Sequence, residues 1–153
     1  MEQIRLRSAT MDDLEQLIPL VEEMGVNYKF TNEQMKGRIK AFLERDFHEL
    51  IVAINADDVI VGVIGFGCYE HLRLPGKCLH IDTLVIDKNS RRQGIGIKLM
   101  AFAEQYAKDN GAETIELTSA NYRRLDGTHA FYKSLGYIDH IEEDCSFFLK
   151  FIK

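Results

Sequence analysis

Apolar positions along the chain follow two periods, and the switches between them mark the elements. Ile4-Arg5-Leu6-Arg7 alternates as a short strand. Ser8-Ala9-Thr10 then leads into Met11 to Met24, where Leu14, Leu17, Ile18 and Val21 recur at helical spacing behind Thr10 as N-cap. After a loop holding Tyr28 and Phe30, Thr31-Asn32 caps a second helix over Glu33 to Arg45, with Met35, Ile39, Phe42 and Leu43 on one face. Two β-branched runs, Glu49 to Ala56 and Val59 to Tyr69, are separated by Asp57-Asp58 and predict an antiparallel hairpin. Leu74-Pro75-Gly76-Lys77 turns the chain into a third run, Cys78 to Asp87. The period then becomes helical from Ile95 to Asn110, closed by Gly111. Thr114 to Ser119 predicts a strand, Gly127 to Leu135 a short helix ending at Gly136, and Tyr137 to Ile141 with Cys145 to Ile152 closing strands. The expected order is βααβββαβαββ: an α/β fold with a mixed, mostly antiparallel central sheet and about four flanking helices.

The 153 residues, 46% of them hydrophobic, suit one domain over 1–153 with its own core. No repeat, charge block or Pro/Gly/Ser linker divides them. The net charge of -5 argues against nucleic acid as the main partner and mildly favours a cationic small molecule. The longest near-apolar run, Val59 to Tyr69, falls well short of the ~20 residues that cross a bilayer, so no membrane role is expected. Three cysteines, Cys68, Cys78 and Cys145, and a start without an apolar signal segment fit a reducing cytoplasm. The sequence leaves a homodimer open.

The stretch richest in chemistry is Arg91-Arg92-Gln93-Gly94-Ile95-Gly96-Ile97-Lys98, lying between a strand and an amphipathic helix. Glycines there admit close backbone approach, and the unpaired amides of the helix start, with its dipole, make an anion site suited to phosphate or pyrophosphate. Neither the Walker nor the Rossmann glycine pattern is present. A tight strand-to-helix turn without a ligand is the plain alternative.

Arg91-x-x-Gly94-x-Gly96 resembles the acyl-CoA loop of the GNAT superfamily of N-acetyltransferases, whose motif reads Gln/Arg-x-x-Gly-x-Gly/Ala. A second block resembles the family near the C-terminus: Asn121, then His129-Ala130-Phe131-Tyr132-Lys133-Ser134-Leu135-Gly136-Tyr137. With the βαα start, the resemblance spans nearly the whole chain. One departure is Leu125, where relatives with the Ala-His-x-Phe-Tyr variant usually carry Arg; Arg123 and Arg124 sit just before it, and a small insertion around Asp126-Gly127 accounts for the offset.

The resemblance implies a GNAT fold, acetyl-CoA as co-substrate and an amine acceptor. It places the pantetheine arm along the backbone of Leu84, Val85 and Ile86, and the CoA phosphates on Arg91, Arg92, Gln93, Gly94, Ile95, Gly96, Ile97 and Lys98. Asn121 and Lys133 would also bind the cofactor. An amide around Val85 would serve the developing oxyanion, and Tyr132 would bind the donor and act as general acid toward the departing thiolate. His80 precedes Gly94 by the interval at which related acetyltransferases carry a catalytic Glu or His.

The residue chemistry asks for such a base. An amine of pKa about 10 is only ~0.1% neutral at pH 7, which costs about 4 kcal/mol unless a group accepts its proton. Asp82, two residues after His80, falls on the same face of an alternating strand, where it could order a water or bind the cationic acceptor. Tyr28, Phe30 and Asp82 are candidates for the acceptor pocket. The plain alternatives are a hydrogen-bonded sheet histidine at His80, a packed core ring at Tyr132, a turn residue at Asn121 and aromatic core packing at Tyr28 and Phe30. His48, His71, His129 and His140 lack catalytic placement.

Cys68-x-x-His71 and Cys78-x-His80 superficially resemble a zinc hairpin, but strand alternation sends Cys68 and His71 to opposite faces, and no metal is expected. The sequence thus points to an acetyl-CoA-dependent N-acetyltransferase acting on a small, cationic amine by direct attack in a ternary complex. Acetylation of proteins or peptides, and a non-catalytic acyl-CoA sensor or interaction module, are the other readings.

Overall fold

The computed structural model describes residues 4–24, 30–70, 72 and 76–139. They fall into two compact units divided after Leu117. The first unit holds β1 (Arg5–Ser8), α1 (Leu14–Glu22), α2 (Asn32–Leu43), β2 (His48–Ile54), β3 (Ile60–Glu70), β4 (Lys77–Ile86), α3 (Ile95–Asp109) and β5 (Ala112–Leu117). The second holds a 3-10 turn over Asn121–Arg124 and α4 (Thr128–Ser134).

The sheet order is β1-β2-β3-β4-β5. The first four strands pair antiparallel, and β5 joins β4 in parallel across the α3 crossover. Strand alternation sends Val52, Val63 and Val85 to one face, where they are buried with Leu17, Leu20, Met35 and Ile39 of α1 and α2. The opposite face takes α3 through Ile95, Leu99, Met100 and Ala103, with Phe66 against Tyr106 at 5.0 Å between ring centroids. No helix among the described residues is long and apolar enough to cross a membrane.

The expected elements are present through α4, with ends shifted by one or two residues. Thr31 caps α2 reciprocally: its hydroxyl accepts from Gln34 N (3.2 Å), and Gln34 Oε1 accepts from Thr31 N (2.9 Å). The helix expected from Met11 begins as a 3-10 turn over Met11–Asp13. Of the closing strands, Tyr137 to Asp139 form no strand, and the rest lies outside the described residues.

The 3-10 start has a physical cause in Asp13, which is 6% exposed. Its carboxylate accepts two 2.7 Å bonds from the Arg7 guanidinium and one of 2.8 Å from Thr10 N. The Arg7 bond holds the Asp13 carboxyl below the usual range, against the opposing effect of burial. A depressed carboxylate stabilises the fold above its unfolded pKa of about 3.9, and that contribution is lost as pH falls through the folded value. Arg7 stays partly exposed, so solvent screens part of the pair. Asp13→Asn is expected to cost about 2 kcal/mol at pH 7 and to flatten the acid limb of stability, measured by urea unfolding between pH 3 and 7.

Candidate active site

The site begins where β4 loses a neighbour. Phe66 faces Ile81 while Gly65 faces Thr83, so Asp82 is an extra residue, a β-bulge in β4. The bulge reverses the alternation beyond it, and His80, Asp82 and Thr83 all line one cleft. β5 pairs with Lys77–Ile81 and goes no further. Among the described residues, β4 from Asp82 to Ile86 therefore has a strand partner only on its β3 side.

The ladder decides which amides face the open edge. Asp87 N donates to Val61 O at 3.0 Å, so residues 61 and 87 are a hydrogen-bonded pair, and two residues on so are 63 and 85. Val85 thus turns its backbone groups to β3. Leu84 and Ile86 turn theirs outward, and Arg91 Nε reaches the Ile86 carbonyl from that side at 3.1 Å. The expected oxyanion donor is an amide around Val85; in this register the outward amides of the triplet are those of its neighbours Leu84 and Ile86.

Immediately beyond, Asp87 closes a turn by accepting from Asn89 N and Ser90 Oγ at 3.0 Å each. Gly94 is the N-cap of α3, in the left-handed region at φ 80°, and caps the helix with no side chain. Lys98 N bonds Gly94 O, and the first-turn amides of Ile95, Gly96 and Ile97 have no hydrogen-bond partner among the described residues. A Cβ at residue 94 would meet nothing within 4 Å; the backbone angle, not crowding, asks for glycine there. The eight loop residues do not contribute alike. Ile95 is 1% exposed and can offer only its backbone, whereas Arg91 is engaged by the Ile86 carbonyl and by Glu23 at 3.4 Å. Arg92, Gln93, Ile97 and Lys98 are exposed.

On the α1/α2 face lies a cleft of about 1180 Å³ with the sheet as its floor. His80, Asp82 and Phe30 line it as expected; Tyr28 lies outside the described residues. His80 Nδ1 is 3.2 Å from Glu116 Oε1 on β5, with the two side chains 32% and 35% exposed. A carboxylate accepts only, so this bond places the proton on Nδ1 and leaves the Nε2 lone pair free to take a proton. Sequence reasoning missed Glu116, because only the parallel register sets it beside His80.

Reasoning from sequence missed His48 too. Its Nδ1 donates to Asp46 O at 2.9 Å, its ring meets Phe42 edge-on at 5.3 Å, and it lines the cleft. A Cβ at Gly67 would lie 2.8 Å from His48 Nε2, so glycine makes room for that ring. Glu22 of α1 and Arg38, Arg45 and Tyr69 complete the polar lining. Burial, with Glu116 nearby, pushes the Tyr69 phenol up.

In the second unit, Tyr132 lies between Phe131 and Tyr137, with ring centroids at 5.3 and 6.2 Å. Burial pushes its phenol above the ordinary value, with Arg123 offsetting part of the effect. Asn121 opens the 3-10 turn. The basic residues here have carboxylate partners: Arg123 with Asp126 at 2.8 Å, and Arg124 and Lys133 with Asp139 at 2.8 and 3.5 Å. Asp126 also accepts from Thr128 N at 3.0 Å at the start of α4.

Cys68 pairs with Leu79 and Cys78 with Tyr69, so the two thiols alternate to opposite faces of the sheet. Burial pushes the Cys78 thiol up. No group of three or more metal-ligating side chains converges among the described residues.

Residues 12–137 match the model of the Acetyltransferase (GNAT) family. The chain is 33% identical over 132 residues to an aminoalkylphosphonate N-acetyltransferase of Salmonella typhimurium, covering 86% of this chain and 83% of the relative. It is 26% identical over 154 residues to a thialysine N-epsilon-acetyltransferase of Bos taurus, covering 92% and 88%. A solved structure from Bacillus halodurans C-125, described as a transcriptional regulator, superposes with a TM-score of 0.81 at 25% identity over 99% of this chain and all of that one. A family model covers most of the chain and its relatives are named as N-acetyltransferases: the chain belongs to the GNAT family and is an acyltransferase.

Proposed function

We propose that the protein transfers an acetyl group from acetyl-CoA to the primary amine of a small molecule, protonated and cationic in solution, by direct attack in a ternary complex. The observation that carries this reading is the open edge of β4 running into a glycine-capped helix start. An extended chain of amides can pair with that edge, and phosphate oxygens can take the three first-turn amides of α3. The relatives named for aminoalkylphosphonate and thialysine support a small acceptor. Buried free thiols at Cys68 and Cys78 fit work in the cytoplasm.

The donor would be held by the outward backbone of Leu84 and Ile86 on either side of Val85, by the loop Arg91 to Lys98, and by Asn121, Tyr132 and Lys133. Bound acetyl-CoA supplies an activated acetyl thioester. The Leu84 amide, turned to the open edge, donates to the thioester carbonyl oxygen. His80 Nε2 accepts the ammonium proton, directly or through one water, while Glu116 holds the imidazole in the tautomer that can do so. Asp82 holds the ammonium in the cleft, and the Tyr132 phenol gives its proton to the leaving sulfur. The second proton lost by the nitrogen as the amide forms restores the phenol, and His80 passes its proton to solvent.

Gly94→Val tests donor binding. A β-branched residue at φ 80° is strained by roughly 1–2 kcal/mol or turns the first-turn amides out of place. The Kd for acetyl-CoA, measured by titration calorimetry, is expected to rise at least about tenfold with the fold retained. Initial rates with both substrates varied test the order of events. Intersecting double-reciprocal lines are expected, and parallel lines would replace direct attack with an acyl-enzyme.

A further inference from the structure

We propose that the acceptor carries an oxyacid anion, a phosphonate or carboxylate, at the end remote from its amine, and that Arg38 and Arg45 bind it. This rests on the transferase reading and revises its acceptor from a net cation to an amine that also carries an anion. The whole-chain charge of -5 points toward a cationic molecule, but the lining of the cleft is not a sample of the whole surface. Arg38 and Arg45, seven residues apart and so about two helical turns, both line the cleft from α2 and the turn after it. Neither has a carboxylate partner among the described residues. The lysines of the same helix do: Lys36 with Glu33 at 3.5 Å and Lys40 with Glu44 at 3.7 Å. In α2 and the turn after it, the lysines away from the cleft are paired, whereas the two arginines lining it have no carboxylate partner among the described residues.

Arg38 is also held in place without being neutralised. Its guanidinium carbon lies 4.4 Å from the centroid of the Phe30 ring, another cleft residue. An aromatic face attracts the cation without neutralising it, so the charge stays available. The planar guanidinium fork matches the spacing of two oxygens in a carboxylate or phosphonate. The sheet side of the cleft has the opposite character: Asp82 and the His80–Glu116 pair suit an ammonium and its proton. A cleft with a proton-accepting, acidic floor, Glu22 on its α1 wall, and two guanidiniums without a carboxylate partner among the described residues fits an amine and an anion on one small molecule better than it fits a polycation.

The test is titration calorimetry of the full chain saturated with CoA, which binds acceptor without turnover. The probes are 3-aminopropylphosphonate, 4-aminobutyrate and propylamine. At least one anionic amine is expected to bind ten times or more tighter than propylamine, and the order of the two names the oxyacid. In the Arg38→Ala/Arg45→Ala double variant the preference is expected to fall to within about twofold, with CoA binding unchanged. Both positions are exposed and alanine is a good helix former, so the fold is not at risk. Equal binding of all three amines, no binding of either anion, or a preference that survives the double substitution would overturn the proposal. Thiol release from acetyl-CoA, read separately, reports on the transferase. An anion preference without release would keep the subsite and remove the enzyme, and release with no preference would do the reverse.

Discussion

Replacing Tyr132 by Phe is expected to lower kcat by about 10²- to 10³-fold, the usual worth of a positioned general acid, while the Kd for acetyl-CoA changes by less than about threefold. The substitution removes only the O–H. The ring keeps its neighbours Phe131 and Tyr137, so α4 should fold as before. Burial holds the phenol above its ordinary value, and the proton is therefore in place throughout the neutral range. It follows that the unmodified enzyme should show no alkaline loss belonging to this group below pH about 10. A Phe variant with unchanged kcat would reduce Tyr132 to a packing residue and leave the sulfur to depart unassisted.

His80→Ala is expected to lower kcat/KM by about 10²-fold for amines that arrive protonated, with partial recovery on adding free imidazole, which the open cleft admits. Glu116→Gln should act through His80. An amide can either accept from or donate to Nδ1, so the tautomer that frees Nε2 is no longer fixed. We expect kcat to fall about tenfold in that variant, KM for acetyl-CoA to hold, and the acid limb of the pH–rate profile to move; Glu116→Asp should restore part of the rate. A His80→Ala enzyme with an unchanged rate and pH profile would place the proton on water alone. An unmoved profile in Glu116→Gln would make the 3.2 Å contact a structural bond only.

What the sequence could reveal of this fold and site followed from local periodicity and local spacing. Helical recurrence at Leu14, Leu17 and Ile18, capping at Thr31 and the strand-to-helix glycines at Gly94 and Gly96 are short-range signals, and each lies where the pattern put it. His80 and Asp82 do share the cleft, although through a bulge that plain alternation does not foresee. The bulge also exchanges the faces of everything after it, which is why Val85 goes to the core and Leu84 and Ile86 carry the outward amides. Glu116 was invisible because its partner is 36 residues away across a parallel pair, a distance at which register comes from packing and not from pattern. Arg38, Arg45 and His48 read as surface or loop residues until α2 is laid over β2 and β3. The alternation expected to continue from Tyr137 gave no strand through Asp139; Asp139 is instead engaged by Arg124 and Lys133.

The central claim is that the open edge of β4 and the start of α3 present acetyl-CoA to an amine in the cleft. Its most direct test is titration calorimetry of the purified chain with acetyl-CoA, coupled to free-thiol release when small amines are added. The account predicts saturable one-to-one binding and thiol release that depends on the amine and stops when it is consumed. Binding with no release from any amine or peptide would leave an acyl-CoA sensor, and no binding at all would contradict the site.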